Sequence, residues 1–183
     1  MSNGITVIKR NGDKDSLNLE KVHKMVEHAC EGLAGVSASQ VEISSGIQFF
    51  DGIKTSQIQE ILVKSASDLI SLDNPNYQYV ASRLLLFDLR KQLNNHYEDH
   101  PFILDHVKKC ADLDVYDKTI IEKYTEEEGK QIDSYIDYGR DYLFSYAGMR
   151  QGVDKNLVQD RSSGELYETP QQMYIMIAAT LFS

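Results

Sequence analysis

The chain has 183 residues, of which 42% are hydrophobic and 26% are charged, a composition typical of a folded globular protein and not of a disordered or collagen-like chain. The formal net charge of -9 argues against a general nucleic-acid-binding surface, because binding to phosphate backbones needs a basic face. The first 95 residues carry 10 Lys/Arg and 11 Asp/Glu, whereas the remainder carries 9 and 17, so a local anion site is expected in the first half.

The first residues predict a β-hairpin followed by a helix. Residues 5–8 form a short β-branched strand, and Asn11-Gly12 is a pair preferred in two-residue type I′ turns because both residues tolerate positive φ. Residues 13–17 return toward Asn18, which is the predicted N-cap of the first helix. That helix should end near Gly32 or Gly35, and its apolar stripe has helical spacing: Val22, Met25, Val26, Ala29 and Leu33.

Two further helices are predicted before residue 70. Residues 37–40 have the spacing of a capping box, so a second helix is expected from about residue 38 to 50, with Ile43, Ile47 and Phe50 on its buried face. Thr55 is the predicted N-cap of a third helix. The apolar stripe of that helix leaves Gln59 on another face.

A fourth helix is expected from about residue 76 to 93, with Arg90 and Lys91 near its C-terminus, where cations suit the helix dipole. Beyond residue 94 the pattern predicts shorter helices at 102–112, at 118–123, after Thr125 and at 140–149, with Gly152 breaking the last. Residues 157–159 and 165–168 predict a second hairpin across Ser163-Gly164.

The final helix has the clearest start signal in the chain. Thr169 is the predicted N-cap, Pro170 stands at the first helical position, and Gln172 completes a capping box. Apolar residues then cover nearly every side of the helix, which is typical of a helix buried all round. Since the sequence supplies no covering layer after it, we expect a further segment or a second chain to pack against residues 173–182.

Motifs for common catalytic sites are absent: the sequence contains no P-loop, GxGxxG, HExxH, EF-hand loop or GxSxG. His96 and His100 have the spacing of two ligands on a helix, but Pro101 follows at once, so no metal site is predicted. Cys30 and Cys110 are far apart and are interpreted as small buried hydrophobes. These features, together with the lack of a long apolar run, predict a cytoplasmic protein without a membrane span.

The cations of the first half are the best chemical lead. Lys9 and Arg10 leave the first strand, Lys21 lies one turn into the first helix, and Lys91 ends the fourth. If the hairpin folds over the helices, these side chains can converge on a phosphate, which Arg binds as a fork and Lys as a point charge. From spacing alone, scattered solubilising surface cations remain the simpler alternative.

Several sequence strings closely resemble the ATP-cone domain at the N-terminus of class Ia ribonucleotide reductase large subunits. In the first half these are VIKRNG (7–12), NLEKVH (18–23), IQFFDGIKT (47–55), YQYVA (77–81) and LRK (89–91). The likeness continues through YD (116–117), YTEEE (124–128), RD (140–141), FSY (144–146), LV (157–158) and GELYE (164–168). It therefore covers essentially the whole chain and favours convergence of the cations.

The resemblance implies an allosteric site at which ATP activates and dATP inhibits the reductase, usually with Mg²⁺. Four cations would face the triphosphate: Lys9, Arg10, Lys21 and Lys91. Asp15 and the chain around Ser16, Leu17 and Asn18 would read the adenine, with Val7 and Val22 as apolar walls. Thr55 and Gln59 would lie by the sugar and phosphates.

Two positions depart from the family pattern. Related cones often have His or Asp where this chain has Gln59, and Glu where it has Asp15. These departures leave the discrimination between ATP and dATP open. In the family the inhibited assembly docks the cone on the radical-generating small subunit, and the outer faces of the first two helices are the hypothetical docking surface: His23, Ser39, Glu42 and Ser44.

The resemblance therefore implies a mostly α, α+β fold with two domains. Residues 1–95 would form the ATP-cone, a four-helix bundle capped by a β-hairpin or small sheet, and residues 96–183 an incomplete helical segment leading into the catalytic barrel. The chain would be the regulatory part of a truncated or split large subunit that binds nucleotide but lacks the catalytic cysteines. Its expected partners are the remaining C-terminal part, a second large subunit and the small subunit. The alternatives are a free-standing ATP/dATP-sensing module that regulates another protein, and a helical adaptor that binds no nucleotide.

Overall fold

The computed structural model describes residues 4–46, 48–98 and 100–182. Most of them lie in helices, with one small sheet, which confirms the mostly α, α+β fold. The described residues form two compact units. The first takes the chain up to Asp88 together with Phe144–Arg150, and the second takes Leu89–Leu143 and the chain from Gln151 onward.

The predicted hairpin is confirmed, but its predicted turn type is wrong. Strand β1 (Thr6–Ile8) pairs antiparallel with β2 (Lys14–Ser16). Gly12 N–H donates to Lys9 O at 3.0 Å, and Lys9 N–H donates to Asp13 O at 2.8 Å. Gly12 has φ of +91° and no other residue of the turn has positive φ, so the connection is a three-residue loop closed by a left-handed glycine. A type I′ turn would need positive φ at two successive residues.

A third strand, β3 (Ile53–Lys54), was not predicted. It pairs parallel with β1, which places β1 in the centre of the sheet in the order β2-β1-β3. Thr6 anchors the approach to β3: its N–H donates to Asp51 Oδ1 and its carbonyl oxygen accepts from Gly52 N–H, both at 2.8 Å. The carboxylate of Asp51 thus helps to hold the hairpin against a segment 45 residues later.

Four helices contribute to the first unit: α1 (Leu19–Cys30), α2 (Ala38–Gly46), α3 (Thr55–Asp68) and α4 (Tyr77–Asn94), of which α4 continues into the second unit. The predicted cap of α1 is confirmed, because Asn18 Oδ1 accepts from Lys21 N–H at 2.9 Å. Side chains from all four helices and from β3 are buried, and they include Val26, Ala29, Val41, Ile53, Leu62, Leu84 and Phe87.

The second helix departs from the prediction. Helix α2 ends at Gly46 instead of near residue 50, because the chain turns there to enter β3. It buries Val41 and Ser45, whereas Ile43 is 69% exposed and Phe50 is 55% exposed, so the predicted buried face is wrong. The prediction for Ile47 lies outside the described residues.

The remaining helices follow the predicted order with two corrections. They are α5 (Ile103–Asp112), α6 (Thr119–Lys123), α7 (Glu126–Ser134), α8 (Tyr146–Gln151) and α9 (Pro170–Leu181). The predicted helix at 140–149 is instead a 3₁₀ segment, Tyr138–Leu143, followed by α8 and a π-helical turn, Gly152–Asn156. The predicted second hairpin reduces to one antiparallel bridge between Gln159 and Leu166.

A buried ion pair lies within the second unit. Arg90, near the end of α4, is 2% exposed, and its Nη2 lies 3.2 Å from Asp141 Oδ2, whose side chain is fully buried. The same nitrogen donates to Tyr138 O at 2.9 Å, and the guanidinium also lies over the Tyr142 ring at 5.4 Å. Arg90 therefore tethers α4 to the 3₁₀ segment, in addition to the helix-dipole role expected from its position.

Helix α9 begins as predicted, with Thr169 and Gln172 forming a reciprocal capping box. It buries Met176 but exposes 49% of Tyr174 and 69% of Leu181, so within this chain it is not buried all round. Phe182, directly after the helix, is 87% exposed. Among the described helices, none combines the length and the apolar character needed to cross a membrane.

Candidate anion-binding site beside the hairpin

The site is built around the end of the central strand. Lys9 and Arg10 directly follow β1, and Thr55 directly follows β3. Because these two strands are parallel, both segments leave the sheet at the same end. Thr55 is the first residue of α3, so its prediction as the N-cap is wrong: Lys54 holds that position, and its N–H donates to Gln57 Oε1 at 3.1 Å. The free amide groups at that helix N-terminus lie at this end of the sheet.

Lys9 and Lys21 both act on one carboxylate. Lys9 Nζ lies 2.7 Å from Asp15 Oδ2 across the hairpin. The hydrogen bond from Lys9 lowers the pKa of Asp15, and the Ser16 N–H and the positive charge of Lys21 lower it further. The same hydrogen bond raises the pKa of Lys9. The structure thus pairs one predicted cation, Lys9, with the predicted acid, Asp15, so that Asp15 stays ionised and Lys9 stays charged, and Lys21 adds positive charge to the surroundings of the same carboxylate.

Arg10 has a different partner, which the sequence analysis did not identify. Its guanidinium Nη2 donates a hydrogen bond to Asp88 Oδ1. Asp88 is the last residue of α4 that belongs to the first unit. The Asp88 side chain is 14% exposed and that of Arg10 is 35% exposed. The two residues are 78 positions apart, so no local sequence pattern could have indicated the pair.

The segment expected to read a base is already engaged in internal hydrogen bonds. Ser16 N–H donates to Asp15 Oδ1 at 2.8 Å, and Leu17 N–H donates to Ile5 O at 2.8 Å. The amide oxygen of Asn18 caps α1.

The two predicted apolar walls differ in burial. Val7, in the centre of β1, is 5% exposed, and it pairs with Asp15 on one side and Ile53 on the other. Val22 is half-buried on the first turn of α1. Val7 therefore belongs mainly to the core, whereas Val22 keeps an exposed surface.

Gln59 corrects one expectation. The sequence placed it on an outward face of α3, but it is 3% exposed and its Nε2 donates to Leu84 O on α4 at 2.9 Å. It lies one helical turn after Thr55, which is half-buried. Gln59 thus ties α3 to α4, a role that the apolar periodicity of α3 could not show because the partner is a backbone carbonyl group of another helix.

Lys91 belongs to the second unit, where its ammonium group lies 5.4 Å from the centroid of the Tyr97 ring. Its part in the site stays a prediction. The other three cations, Lys9, Arg10 and Lys21, all lie in the first unit.

A second feature of the first unit is the predicted docking surface between α1 and α2. His23 Nδ1 lies 2.7 Å from Glu42 Oε1 and its Nε2 lies 3.1 Å from Glu27 Oε1. The Glu42 carboxylate is the main cause of a raised pKa at His23, and Glu27 adds to it. A cavity of about 510 Å³ opens beside this pair, with Leu19 and Phe49 among its apolar lining. Of the predicted serines, Ser39 is exposed and Ser44 is half-buried.

Neither cysteine is suited to nucleophilic chemistry in this chain. Burial raises the pKa of both the Cys30 and the Cys110 thiol to about 11, so the thiolate is disfavoured at neutral pH. Among the described residues, no group of three or more His, Cys, Asp and Glu side chains could hold a metal ion.

Known proteins resemble this chain both in one domain and over its whole length. The ATP cone domain family matches residues 5–92. The whole chain is 50% identical to the alpha subunit of ribonucleoside-diphosphate reductase 1 of Escherichia coli. It is 47% identical to the alpha subunit of the ribonucleoside-diphosphate reductase of Haemophilus influenzae. The alpha subunit of phage T4 is 38% identical over 179 residues, or 97% of this chain.

In each case the chain spans only part of the relative: 24% of the two bacterial subunits and 23% of the phage subunit. The matched family begins at residue 5, before β1, and ends at residue 92, near the end of α4, so it includes the sheet and the first four helices. Residues 5–92 therefore form an ATP-cone domain, and the chain over its whole length is similar to the N-terminal region of ribonucleoside-diphosphate reductase alpha subunits.

Proposed function

We propose that the first unit binds ATP or dATP as an allosteric effector, with the triphosphate against Lys9, Arg10 and Lys21. The observation that carries the proposal is that Lys9 and Arg10 leave β1 at the end of the sheet where α3 begins, with Lys9 paired to Asp15 across the hairpin. The positive charge of Lys21 acts on the same carboxylate. Such a group offers a guanidinium fork and two ammonium charges to one polyanion. Asp15 and residues 16–18 face the base, Thr55 and Gln59 lie toward the sugar and phosphates, and Lys91 is the remaining cation of the set.

Magnesium enters this proposal with the nucleotide. Mg²⁺ prefers octahedral oxygen ligands, keeps several waters and is commonly bound through substrate phosphates plus one or two carboxylates. The acid nearest the expected phosphates, Asp15, already pairs with Lys9, and the described residues offer no cluster of three acidic or histidine ligands. The chain thus fits an ion that arrives on the triphosphate better than one held by protein alone.

The regulatory effect follows from linkage. An effector can shift the enzyme only by the difference between its affinities for the active and inactive assemblies. ATP and dATP differ by one 2′-hydroxyl group, and a site that hydrogen-bonds such a group can discriminate by about 1 to 3 kcal/mol. A difference of that size is enough for an allosteric coupling.

In the whole protein, residues 1–95 would act as the regulatory ATP-cone and residues 96–183 as the start of the catalytic domain of a cytoplasmic enzyme. That enzyme would reduce ribonucleoside diphosphates to deoxyribonucleoside diphosphates. The C-terminal remainder would cover the exposed side of α9, including Leu181 and Phe182. A second large subunit would complete the dimer, and the radical-generating small subunit would dock on the surface that includes His23 and Glu42.

Isothermal titration calorimetry of the 183-residue chain with ATP and dATP, in magnesium, tests the proposal. We expect both nucleotides to bind, and Lys9→Ala to weaken binding about tenfold or more, because it removes a charge-assisted hydrogen bond worth roughly 1.5 kcal/mol or more. Lys64→Ala is the matched control, since Lys64 pairs with Asp68 on α3 and belongs to no part of the proposed site. Absence of heat with either nucleotide would exclude the proposal.

The reductase part of the proposal is tested by complementation. Mixing the chain with the C-terminal three-quarters of a reductase alpha subunit and its small subunit should restore ribonucleotide reduction that dATP modulates. If no complex forms and no activity returns, the chain does not work as the N-terminal part of such an enzyme.

A further inference from the structure

Both cations at the end of β1 already hold a carboxylate in this chain. Lys9 is paired with Asp15, and Arg10 is paired with Asp88. These four side chains carry no net charge together at neutral pH. A triphosphate that approaches them therefore meets a neutralised group, and the positive charge of Lys21 acts on the Asp15 carboxylate of that group.

The two pairs are not equivalent. Lys9 and Asp15 are about half exposed, at 48% and 53%, so water and salt screen their attraction. Asp88 is largely buried on α4 at 14% exposure, where screening is weaker and the backbone is held by a long helix. The Arg10–Asp88 ion pair is consequently less screened than the Lys9–Asp15 pair and is the harder of the two to separate.

The donor that Asp88 occupies is a terminal nitrogen of the guanidinium group, Nη2 of Arg10. Bidentate binding of a phosphate uses the terminal nitrogens of Arg, because they form the outer edge of the fork. A phosphate oxygen and the Asp88 carboxylate oxygen would therefore compete for the same donor. Two anions that share one guanidinium group also repel one another.

We propose that Asp88 is an internal counterion of Arg10 that competes with the phosphates of the effector and so sets the affinity of the site. The proposal rests on the proposed function, because it assigns to Arg10 a phosphate contact. Binding is then an exchange in which Arg10 passes from a carboxylate to a phosphate. In this proposal the negative charge of Asp88 weakens nucleotide binding. A residue that only oriented Arg10 toward the phosphates would strengthen nucleotide binding instead.

Calorimetric titration of ATP and dATP into the full chain and its Asp88→Asn variant tests this exchange. Asparagine keeps the size and an acceptor oxygen but removes the charge. We expect Kd for both nucleotides to fall about three- to tenfold, equivalent to roughly 0.7–1.4 kcal/mol. Asp88→Glu keeps the charge and should bind within about twofold of the original chain.

Asp68→Asn is the matched control for net charge. Asp68 also pairs with a cation, Lys64, on the same unit, but outside the proposed site. It should change Kd by less than about twofold, which separates a local effect from the general gain that any lost acidic charge gives to an anion. Circular dichroism melts of the variants establish that each is folded before titration.

The outcomes separate the two proposals. If the original chain binds neither nucleotide, the proposed function fails and the exchange falls with it. If the original chain binds but Asp88→Asn leaves Kd unchanged or raises it, the nucleotide site stands and the counterion role of Asp88 is overturned. An equal gain in Asp68→Asn would likewise overturn it, because the effect would then be one of net charge.

Discussion

Removing Arg90 should destabilise the second unit by an amount that depends on pH. The guanidinium group lies 3.2 Å from the Asp141 carboxylate and both side chains are essentially inaccessible to solvent. At an effective dielectric constant of about 20, two unit charges at that separation attract by about 5 kcal/mol. Desolvation offsets much of this attraction, because burial raises the pKa of Asp141 to about 6 although Arg90 lowers it. Breaking such a pair from one side costs on the order of 3–5 kcal/mol.

The two ways of breaking the pair differ in their response to pH. In Asp141→Asn the Arg90 guanidinium remains charged at any accessible pH and the titration of Asp141 is removed. Its loss of stability relative to the original chain should therefore shrink as pH rises from about 4 to 6 and stay constant above pH 6. In Arg90→Met the orphaned Asp141 can take up a proton instead. Its folded-state pKa then rises above 6, whereas its unfolded-state pKa stays near 4.

The direction of the effect follows from proton binding. A carboxyl group with a raised folded pKa contributes its full stability below the unfolded pKa, near pH 4, and loses it as pH rises toward the folded pKa. For the original chain that loss ends near pH 6, at the pKa of Asp141. For Arg90→Met it continues above pH 6, by up to about 1.4 kcal/mol per pH unit. The difference between the two proteins should therefore be smallest near pH 4 and grow from pH 6 to pH 8.

Urea unfolding followed by circular dichroism at pH 4.5, 6 and 8 measures this difference. Taking the difference between variant and original chain cancels the titration of every other group that both share. A constant loss across the three pH values would refute the reasoning, because it would mean that Asp141 does not take up a proton when Arg90 is absent. If the free energy of unfolding of Arg90→Met at pH 8 were less than about 1 kcal/mol below that of the original chain, the Arg90–Asp141 pair would contribute little to the stability of the second unit.

Three further outcomes are expected. Thr125→Ala should lower the free energy of unfolding by about 1 kcal/mol in urea titration, because it removes the side-chain half of a reciprocal capping box. Gly129→Ala should cost about 1–3 kcal/mol in the same assay, since an added Cβ would overlap Leu104 Cδ1 and Cγ; an unchanged midpoint would contradict the packing. Glu42→Gln should lower the pKa of His23 toward its ordinary value in an NMR titration, because Glu42 is the main cause that raises it.

Local signals in the sequence predicted local structure well. Asn18 and Thr169 were identified as helix caps, and each accepts the expected backbone hydrogen bond, whereas the cap predicted at Thr55 lies one residue earlier, at Lys54. The stripe of α1 was read correctly at Met25 and Val26. Such features depend on residues three or four positions apart, so a linear pattern contains all the information that they need.

Features that depend on distant residues were missed for the same reason. Strand β3 is two residues long and exists because it pairs with β1, which lies more than 40 positions earlier. The early end of α2 at Gly46 and the exposure of Phe50, in the segment that leads to β3, were missed as well. Gln59 reads as a surface residue until α4 supplies a carbonyl group, at Leu84, for it to bind.

For the candidate site, the sequence predicted which cations would be present and not how they would be compensated. Lys9, Arg10 and Lys21 were identified from their positions near the hairpin and from the family resemblance. Asp88 was not, because its pairing with Arg10 depends on how α4 packs beside the turn. The charge of a site is set by such pairings as much as by the cations themselves.

The acidity of the whole chain is consistent with a phosphate site when distances are considered. The formal net charge is -9, but at physiological ionic strength exposed charges separated by more than about 8 Å are largely screened, so net charge alone does not decide whether an anion binds at the hairpin. What a phosphate experiences is the local balance among Lys9, Arg10, Lys21 and the two carboxylates that hold them. It follows that changing one of those carboxylates should alter nucleotide affinity more than removing an exposed acid of the same unit that lies outside the proposed site, such as Asp68.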